Sequence, residues 1–261
     1  MRARLEYAAR VNRRDFDVKD GPLAVAALRA VLGQPAGAWA AWAALMAAGA
    51  ALDLAARAAG VDIDGTRADA GFWAYQGLEA LLTATASGWA LALLLTGQAP
   101  RVRALAAFVV LLAAVELYWD GAAQVVPAAE SGDGAPVAAR YLALMAVMGL
   151  GVFVFARLML WPIGRLTGSG GPSPAGSWAR MEGQVWPYFS TAVLLTFPIF
   201  LENYLLFTTP AGDLGVEGTT PTLIKARLEA TLETALMTGL GAAVWRRRQG
   251  VTSERLSDVF A

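Results

Sequence analysis

Six long apolar stretches, separated by polar segments, dominate the hydrophobicity pattern of the chain. They cover residues 36–56, 72–96, 104–126, 137–161, 185–207 and 223–245. Each is about twenty residues long or longer, and a helix of that length crosses a hydrocarbon core of about 30 Å, because it rises about 1.5 Å per residue. The pattern therefore predicts an all-α fold: a polytopic membrane helix bundle with about six transmembrane helices.

Two features interrupt this regular pattern. Asp120 lies inside the third stretch, which therefore ends either at Trp119 or near Val126. Between the fourth and fifth stretches, residues 167–174 read TGSGGPSP, which is the composition of a flexible linker.

A shorter apolar segment, residues 22–32, precedes the first long stretch and is too short to span a bilayer. Pro22 follows Asp20 and Gly21, as at a helix start, and the sequence Gly33-Gln34-Pro35 ends the segment. We predict an interfacial helix that lies on the membrane with Arg29 facing the headgroups. The alternative, in which the segment forms the first turns of the next helix, is disfavoured by Pro35.

Basic residues are concentrated on alternate loops of the predicted bundle. Besides the N-terminal arm, one side carries Arg101, Arg103, Arg165, Arg180, Arg246, Arg247, Arg248 and Arg255. The opposite loops are acidic or nearly uncharged, so the positive-inside rule places both termini in the cytoplasm. We predict three parts: a cytoplasmic basic arm with the interfacial helix (1–35), a six-helix transmembrane domain (36–245) and a cytoplasmic tail (246–261). Richness in Ala, Gly, Arg and Trp suggests a bacterial protein, hence the inner (plasma) membrane.

Composition excludes several classes of function. Only 16% of the residues are charged, against about a quarter in soluble domains, and the net charge is zero, so nucleic acid is not an expected partner. The chain has no Cys and no His. Disulfides, zinc clusters, haem ligation by His and Ser-His or Cys-His dyads are therefore excluded. We predict no catalytic residues, no metal site and no cofactor, and we do not expect an enzyme.

Ionisable side chains inside the predicted spans are the candidates for function, because burying them in a bilayer is costly. The candidates for ligand or ion binding are Glu79, Glu116, Glu202, Asn203, Glu229 and Glu233, with the countercharges Arg140 and Lys225. Acids from four helices are expected in the outer half of the membrane. Lys225 precedes Glu229 by four residues and can pair with it, but three bases (Arg140, Lys225 and Arg227) cannot neutralise six acids (Asp120 included). Some carboxyl groups should be protonated, solvated in a cavity or bound to a cation.

Three interpretations of these acids remain open. They are polar contacts that fix helix packing, a proton- or cation-linked site, or a carboxylate enzyme or di-metal site. The enzyme or di-metal interpretation is disfavoured because di-iron bundles use Glu-x-x-His motifs, and this chain has no His. We predict an accessory or assembly subunit that binds the lipid bilayer and another membrane protein, or self-associates. The alternative is a small proton- or cation-coupled transporter that uses the outer-half carboxylates.

One segment carries a family resemblance. A predicted helix ends in the pattern R-L-x-L-x-P, and the next helix begins with S-W-x-x-x-x-G-x-x-W. The first pattern is formed by Arg157, Leu158, Leu160 and Pro162, and the second by Ser177, Trp178, Gly183 and Trp186. This pattern resembles bacterial polytopic membrane proteins related to the membrane domain of glycerophosphodiester phosphodiesterases. Residues 28–39 (LRAVLGQPAGAW) are similar to the start of bacterial Yip-type membrane proteins. Both resemblances imply a non-enzymatic membrane component, and neither contributes a catalytic residue.

Overall fold

The computed structural model describes residues 21–63, 68–123, 136–168, 171–208 and 220–260, and these ranges are helical apart from short turns. The helices are α1 Leu23–Leu32, α2 Ala36–Ala58, α3 Ala70–Thr96, α4 Val102–Ala123, α5 Pro136–Leu158, α6 Leu160–Thr167, α7 Pro174–Arg180, α8 Val185–Thr208 and α9 Thr220–Phe260. The predicted all-α fold is therefore confirmed.

Among the described residues, four helical stretches are long and apolar enough to cross a membrane. They are Ala36–Ala58, Ala70–Thr96, Val102–Ala122 and Met145–Thr167. These stretches support a membrane protein. The predicted fifth and sixth spans correspond to α8 and α9, and whether these two helices cross the membrane stays a prediction.

Several predicted boundaries differ from the observed ones. The helix α4 continues through Asp120 to Ala123, so it does not end at Trp119, and the alternative end near Val126 lies outside the described residues. The fourth predicted span is divided at Met159 into α5 and α6. Gly171, inside the predicted linker, packs closely against α6, since a Cβ atom on Gly164 would lie 2.5 Å from the Gly171 Cα atom. The predicted cytoplasmic tail continues α9 as a helix to Phe260.

The helices α3 and α4 run antiparallel. The α3–α4 turn is made possible by Gly97, whose φ of 68° belongs to the left-handed region that favours glycine. Near this turn, Gly88 on α3 faces Leu105 on α4, whereas at the far end Trp73 on α3 lies beside Gly121 on α4. We call the end of the bundle at this turn the Gly97 end. We call the opposite end, where Asp69 caps α3 by accepting a hydrogen bond from the Phe72 N–H (2.9 Å), the Asp69 end.

The largest apolar core lies at the Gly97 end. It brings together buried residues of α1, α3, α4, α5, α6, α8 and α9, and its fully buried members include Leu160, Met181 and Leu240. A second cluster around Trp42 and Leu45 joins α2, α3 and α9. Dense packing therefore holds the Gly97 end, and the polar features described below lie mainly towards the other end.

The short helix α1 is a separate element, as predicted, and packs lengthwise on α9. Ala27 and Val31 are buried, and both face Gly239 of α9. Arg29 is exposed, as is Leu32 at the end of the helix. The contact with α9 fixes α1 at the Gly97 end, while its position at a membrane surface stays a prediction.

Candidate functional site

A buried arginine joins three helices near the Asp69 end. Arg227 on α9 donates hydrogen bonds from Nε to Asp53 Oδ2 (2.6 Å) and from Nη2 to Asp53 Oδ1 on α2. It also donates from Nη1 to Glu79 Oε1 (2.5 Å) and from Nη2 to Tyr75 Oη (2.7 Å), both on α3. The Tyr75 hydroxyl donates in turn to Asp53 Oδ1 (2.7 Å). We call these four residues the Arg227 network.

A glycine makes room for this network. Gly49 lies one helical turn before Asp53, so both residues share one face of α2. A Cβ atom at Gly49 would lie 3.1 Å from Cδ and Nη1 of Arg227. The guanidinium group can therefore lie flat against α2 while it reaches Asp53.

Beside the Arg227 network, the helices form a partly open cavity of about 1110 Å³. Its walls come from α3, α4, α5, α6, α8 and α9, and most of its lining residues are apolar. Uncharged polar residues on the walls include Gln76, Thr83, Ser87, Thr196, Thr234 and Thr238. A concave, mostly apolar space with a few polar groups is the usual form of a small-molecule site, and these sites measure about 300–1,000 Å³.

Four carboxyl groups line this cavity: Glu79, Glu116, Asp120 and Glu233. Glu79 also belongs to the Arg227 network, so it lies where the network and the cavity meet. In the described ranges, the other three carboxyl groups have neither a hydrogen bond nor an ion pair. Among the residues described, no three acids lie close enough together to hold a metal ion.

The predicted site residues are thus divided between three environments. Glu116 and Glu233 line the cavity, and Glu79 lies between the cavity and the Arg227 network. Glu229 pairs with Lys225 at 2.6 Å, as their spacing on the helix predicts. The side chains of Arg140, Glu202 and Asn203 lie outside the described part of the structure.

Sequence reasoning missed two members of the Arg227 network. Asp53 lies about one turn from the end of its apolar stretch, a position that does not distinguish a buried acid from one at the membrane rim. Tyr75 is an aromatic residue near a helix start, where aromatic residues are common in membrane proteins. The one available signal was Arg227 itself, because a basic residue about one turn inside a predicted span favours an acidic partner.

Comparison with known proteins adds no assignment at this point. No family model, curated protein or solved structure matches this chain. The cavity and the Arg227 network are therefore the features that bear on function.

Three of the residues that carry the family resemblance, Arg157, Ser177 and Trp178, contact one another. Arg157 Nη1 donates to the Trp178 carbonyl (2.9 Å), and the Ser177 hydroxyl donates to the Arg157 carbonyl (2.8 Å). The guanidinium carbon lies 5.3 Å from the centre of the Phe153 ring and 5.5 Å from that of Trp178, within the range of cation–π attraction. These contacts hold α7 against α5, which gives the two halves of the pattern a shared structural role.

The basic cluster after the last apolar stretch binds backbone carbonyl groups. Arg246 donates to the Leu94 carbonyl in the last turn of α3 (2.7 Å), and Arg247 donates to the carbonyl of Gly21 before α1. Arginine at the carbonyl end of a helix satisfies unpaired acceptors and interacts favourably with the helix dipole. The cluster therefore stabilises the Gly97 end of the bundle.

Proposed function

We propose that this protein is an inner-membrane bundle of six spans that binds a small ligand in its cavity and moves it across the membrane, coupled to protonation or cation binding at the cavity acids. The observation that carries this proposal is a cavity of about 1110 Å³ in which Glu116, Asp120 and Glu233 have no partner among the described residues. Carboxyl groups that face a cavity inside a membrane commonly belong to ion or proton pathways. An accessory subunit does not require such a cavity, so we rank that hypothesis second.

In this proposal α8 and α9 are the fifth and sixth spans. The helix α8 has 24 residues, enough to cross a core of about 30 Å. Three of the four charged residues in the first half of α9 are compensated: Arg227 is 8% exposed and bound to two acids, and Lys225 pairs with Glu229. The fourth, Glu233, faces the cavity. Pairing offsets much of the cost of placing these charges at membrane depth.

The orientation is tested by reporter fusions. Fusions after Gly97, Ser169 and Arg248 are expected to report the cytoplasm, and fusions after Gly65, Gly132 and Gly215 the opposite side. This expectation follows from the distribution of arginine between alternate loops. A reversed signal at one loop would require a span to be removed, and α8 or α9 would be the first candidate.

The transport hypothesis is tested by isosteric removal of the cavity acids. We expect that Glu233→Gln, and more strongly the double variant Glu116→Gln/Glu233→Gln, fails to restore growth of a deletion strain under a condition where that strain is impaired. The amide keeps the shape of the side chain but cannot exchange a proton or bind a cation. Membrane expression and the size-exclusion profile should be unchanged.

Glu229→Gln is the matched control, because Glu229 lies one helical turn from Glu233 but pairs with Lys225 and does not line the cavity. This control should complement growth fully. Full complementation by a triple variant that also carries Asp120→Asn would reject transport through the cavity acids and favour the accessory-subunit hypothesis.

A further inference from the structure

We infer that the cavity selects a lipophilic organic cation, meaning a molecule with a single positive charge and a bulky apolar or aromatic body. This inference rests on the proposed function and specifies the class of ligand. Its basis is the charge on the cavity wall, the aromatic lining, and the size of the cavity with the spacing of its acids.

In the part of the chain that the structure describes, the charged residues on the cavity wall are all acidic. The lining contains Glu79, Glu116, Asp120 and Glu233, and in the described ranges it contains neither lysine nor arginine. The nearby Arg227 cannot supply a positive charge to the cavity, because it is already bound to two carboxylates, Asp53 and Glu79. An anionic ligand, including a phosphate-bearing lipid headgroup, would therefore face uncompensated repulsion, whereas a cation would be attracted.

The aromatic lining favours a cation with an organic body. Phe108, Trp119, Phe155, Trp161, Tyr188 and Phe189 all line the cavity. The face of an aromatic ring attracts a cation and also packs well against apolar groups. A strongly hydrated metal ion would gain little from these walls, whereas a weakly hydrated organic cation is stabilised by both kinds of contact.

The size of the cavity and the spacing of its acids also favour an organic cation over a metal ion. A volume of about 1110 Å³ is far larger than an ion with its first hydration shell needs. The acids are distributed over α3, α4 and α9, and in the described residues they do not form a group that surrounds one metal ion. Distributed carboxylates suit a charge that is spread over, or shielded by, an organic body.

The cavity extends along α4 beyond its acids. Phe108 and Glu116 both line it and are eight residues apart, which is about 12 Å along a helix. Trp161 lines the cavity and, together with Phe108, a second, smaller pocket. A bulky apolar body can therefore lie among these aromatic residues while its charged group lies near Glu116.

The test uses two probes of the same shape and opposite charge, tetraphenylphosphonium and tetraphenylborate, with the full-length protein in lipid nanodiscs. We expect tetraphenylphosphonium to bind saturably at one equivalent per protein, and its affinity to fall at least tenfold in Glu116→Gln/Glu233→Gln. Glu229→Gln should bind it like the unmodified protein. Tetraphenylborate should show only the non-saturable partitioning seen with empty nanodiscs.

Other outcomes separate this inference from the proposed function. Equal saturable binding of both probes, unaffected by the Gln changes, would overturn cation selection and leave the cavity as a binding site. If neither probe binds but the Gln variants still fail in complementation, cation selection is wrong and transport of another ligand stands. If neither probe binds, the Gln variants complement and a membrane protein co-purifies stoichiometrically, both proposals are wrong and the chain is an accessory subunit.

Discussion

Replacing Arg227 by methionine is expected to destabilise the folded bundle by about 3–5 kcal/mol, the usual cost of removing one partner from a buried ion pair. Methionine keeps an unbranched apolar stem, but it leaves Asp53, which is 4% exposed, without its charge partner. Glu79 also loses its ion pair, and the contact between α2, α3 and α9 is weakened. The measurement is unfolding in mixed micelles of increasing SDS fraction, followed by tryptophan fluorescence.

Two further variants determine whether charge is the cause. The neutral triple variant Asp53→Asn/Glu79→Gln/Arg227→Met should recover most of the lost stability, because no unpaired charge remains buried. Lys225→Met, half a turn away, removes the cation of a more exposed pair whose lysine side chain is 40% exposed. It should cost no more than about 0.5 kcal/mol. If Arg227→Met were as mild as Lys225→Met, the Arg227 network would not hold the bundle together.

Replacing Gly239 by alanine is expected to lower stability by about 1–3 kcal/mol, which is the range for overpacking a close contact. A Cβ atom at this position would lie 2.7 Å from the Ala27 carbonyl oxygen and 2.5 Å from Val31 Cγ2. Because one of these atoms belongs to the backbone of α1, the helix has to move away from α9. Amide hydrogen exchange in residues 23–32 should therefore become faster, while exchange in α3 changes little.

Gly149→Ala is the matched control, since nothing lies within 4 Å of a Cβ atom at that position in α5. Alanine there should be neutral, or stabilising by up to about 1 kcal/mol through its helix propensity. Equal responses at positions 149 and 239 would mean that α1 does not pack on α9 in solution.

The long helices were predictable because their signal is local. In a bilayer, each backbone polar group must be satisfied within its own segment, so the length of an apolar run largely sets the length of the helix. The first two predicted spans, 36–56 and 72–96, agree with Ala36–Ala58 and Ala70–Thr96 to within two residues at each end. The division at Met159 and the short helices α6 and α7 were not predicted, because they depend on packing at the Gly97 end.

The candidate site was only partly accessible from sequence. The pairing of Lys225 with Glu229 follows from their spacing on one helix. The partners of Arg227 do not follow from spacing on one helix. Asp53 is 174 residues away from Arg227 in sequence, and the contact between these two residues depends on how α2 and α9 are rotated about their axes. The sequence interpretation treated Arg227 as a countercharge for the intramembrane acids in general, whereas the structure assigns it to Asp53 and Glu79.

By itself, the sequence determined that this chain is a helical bundle with membrane-length apolar segments and intramembrane acids, because hydrophobicity, length and charge are properties of each segment alone. Only the tertiary structure decided which acids are neutralised and which face open space. Glu79 and Glu116 have the same side chain and both lie seven residues or more inside their helices. Both side chains line the cavity, but Glu79 also binds the guanidinium group of Arg227, whereas Glu116 has no ion pair in the described structure. The difference arises because neighbouring helices present different residues to each of them.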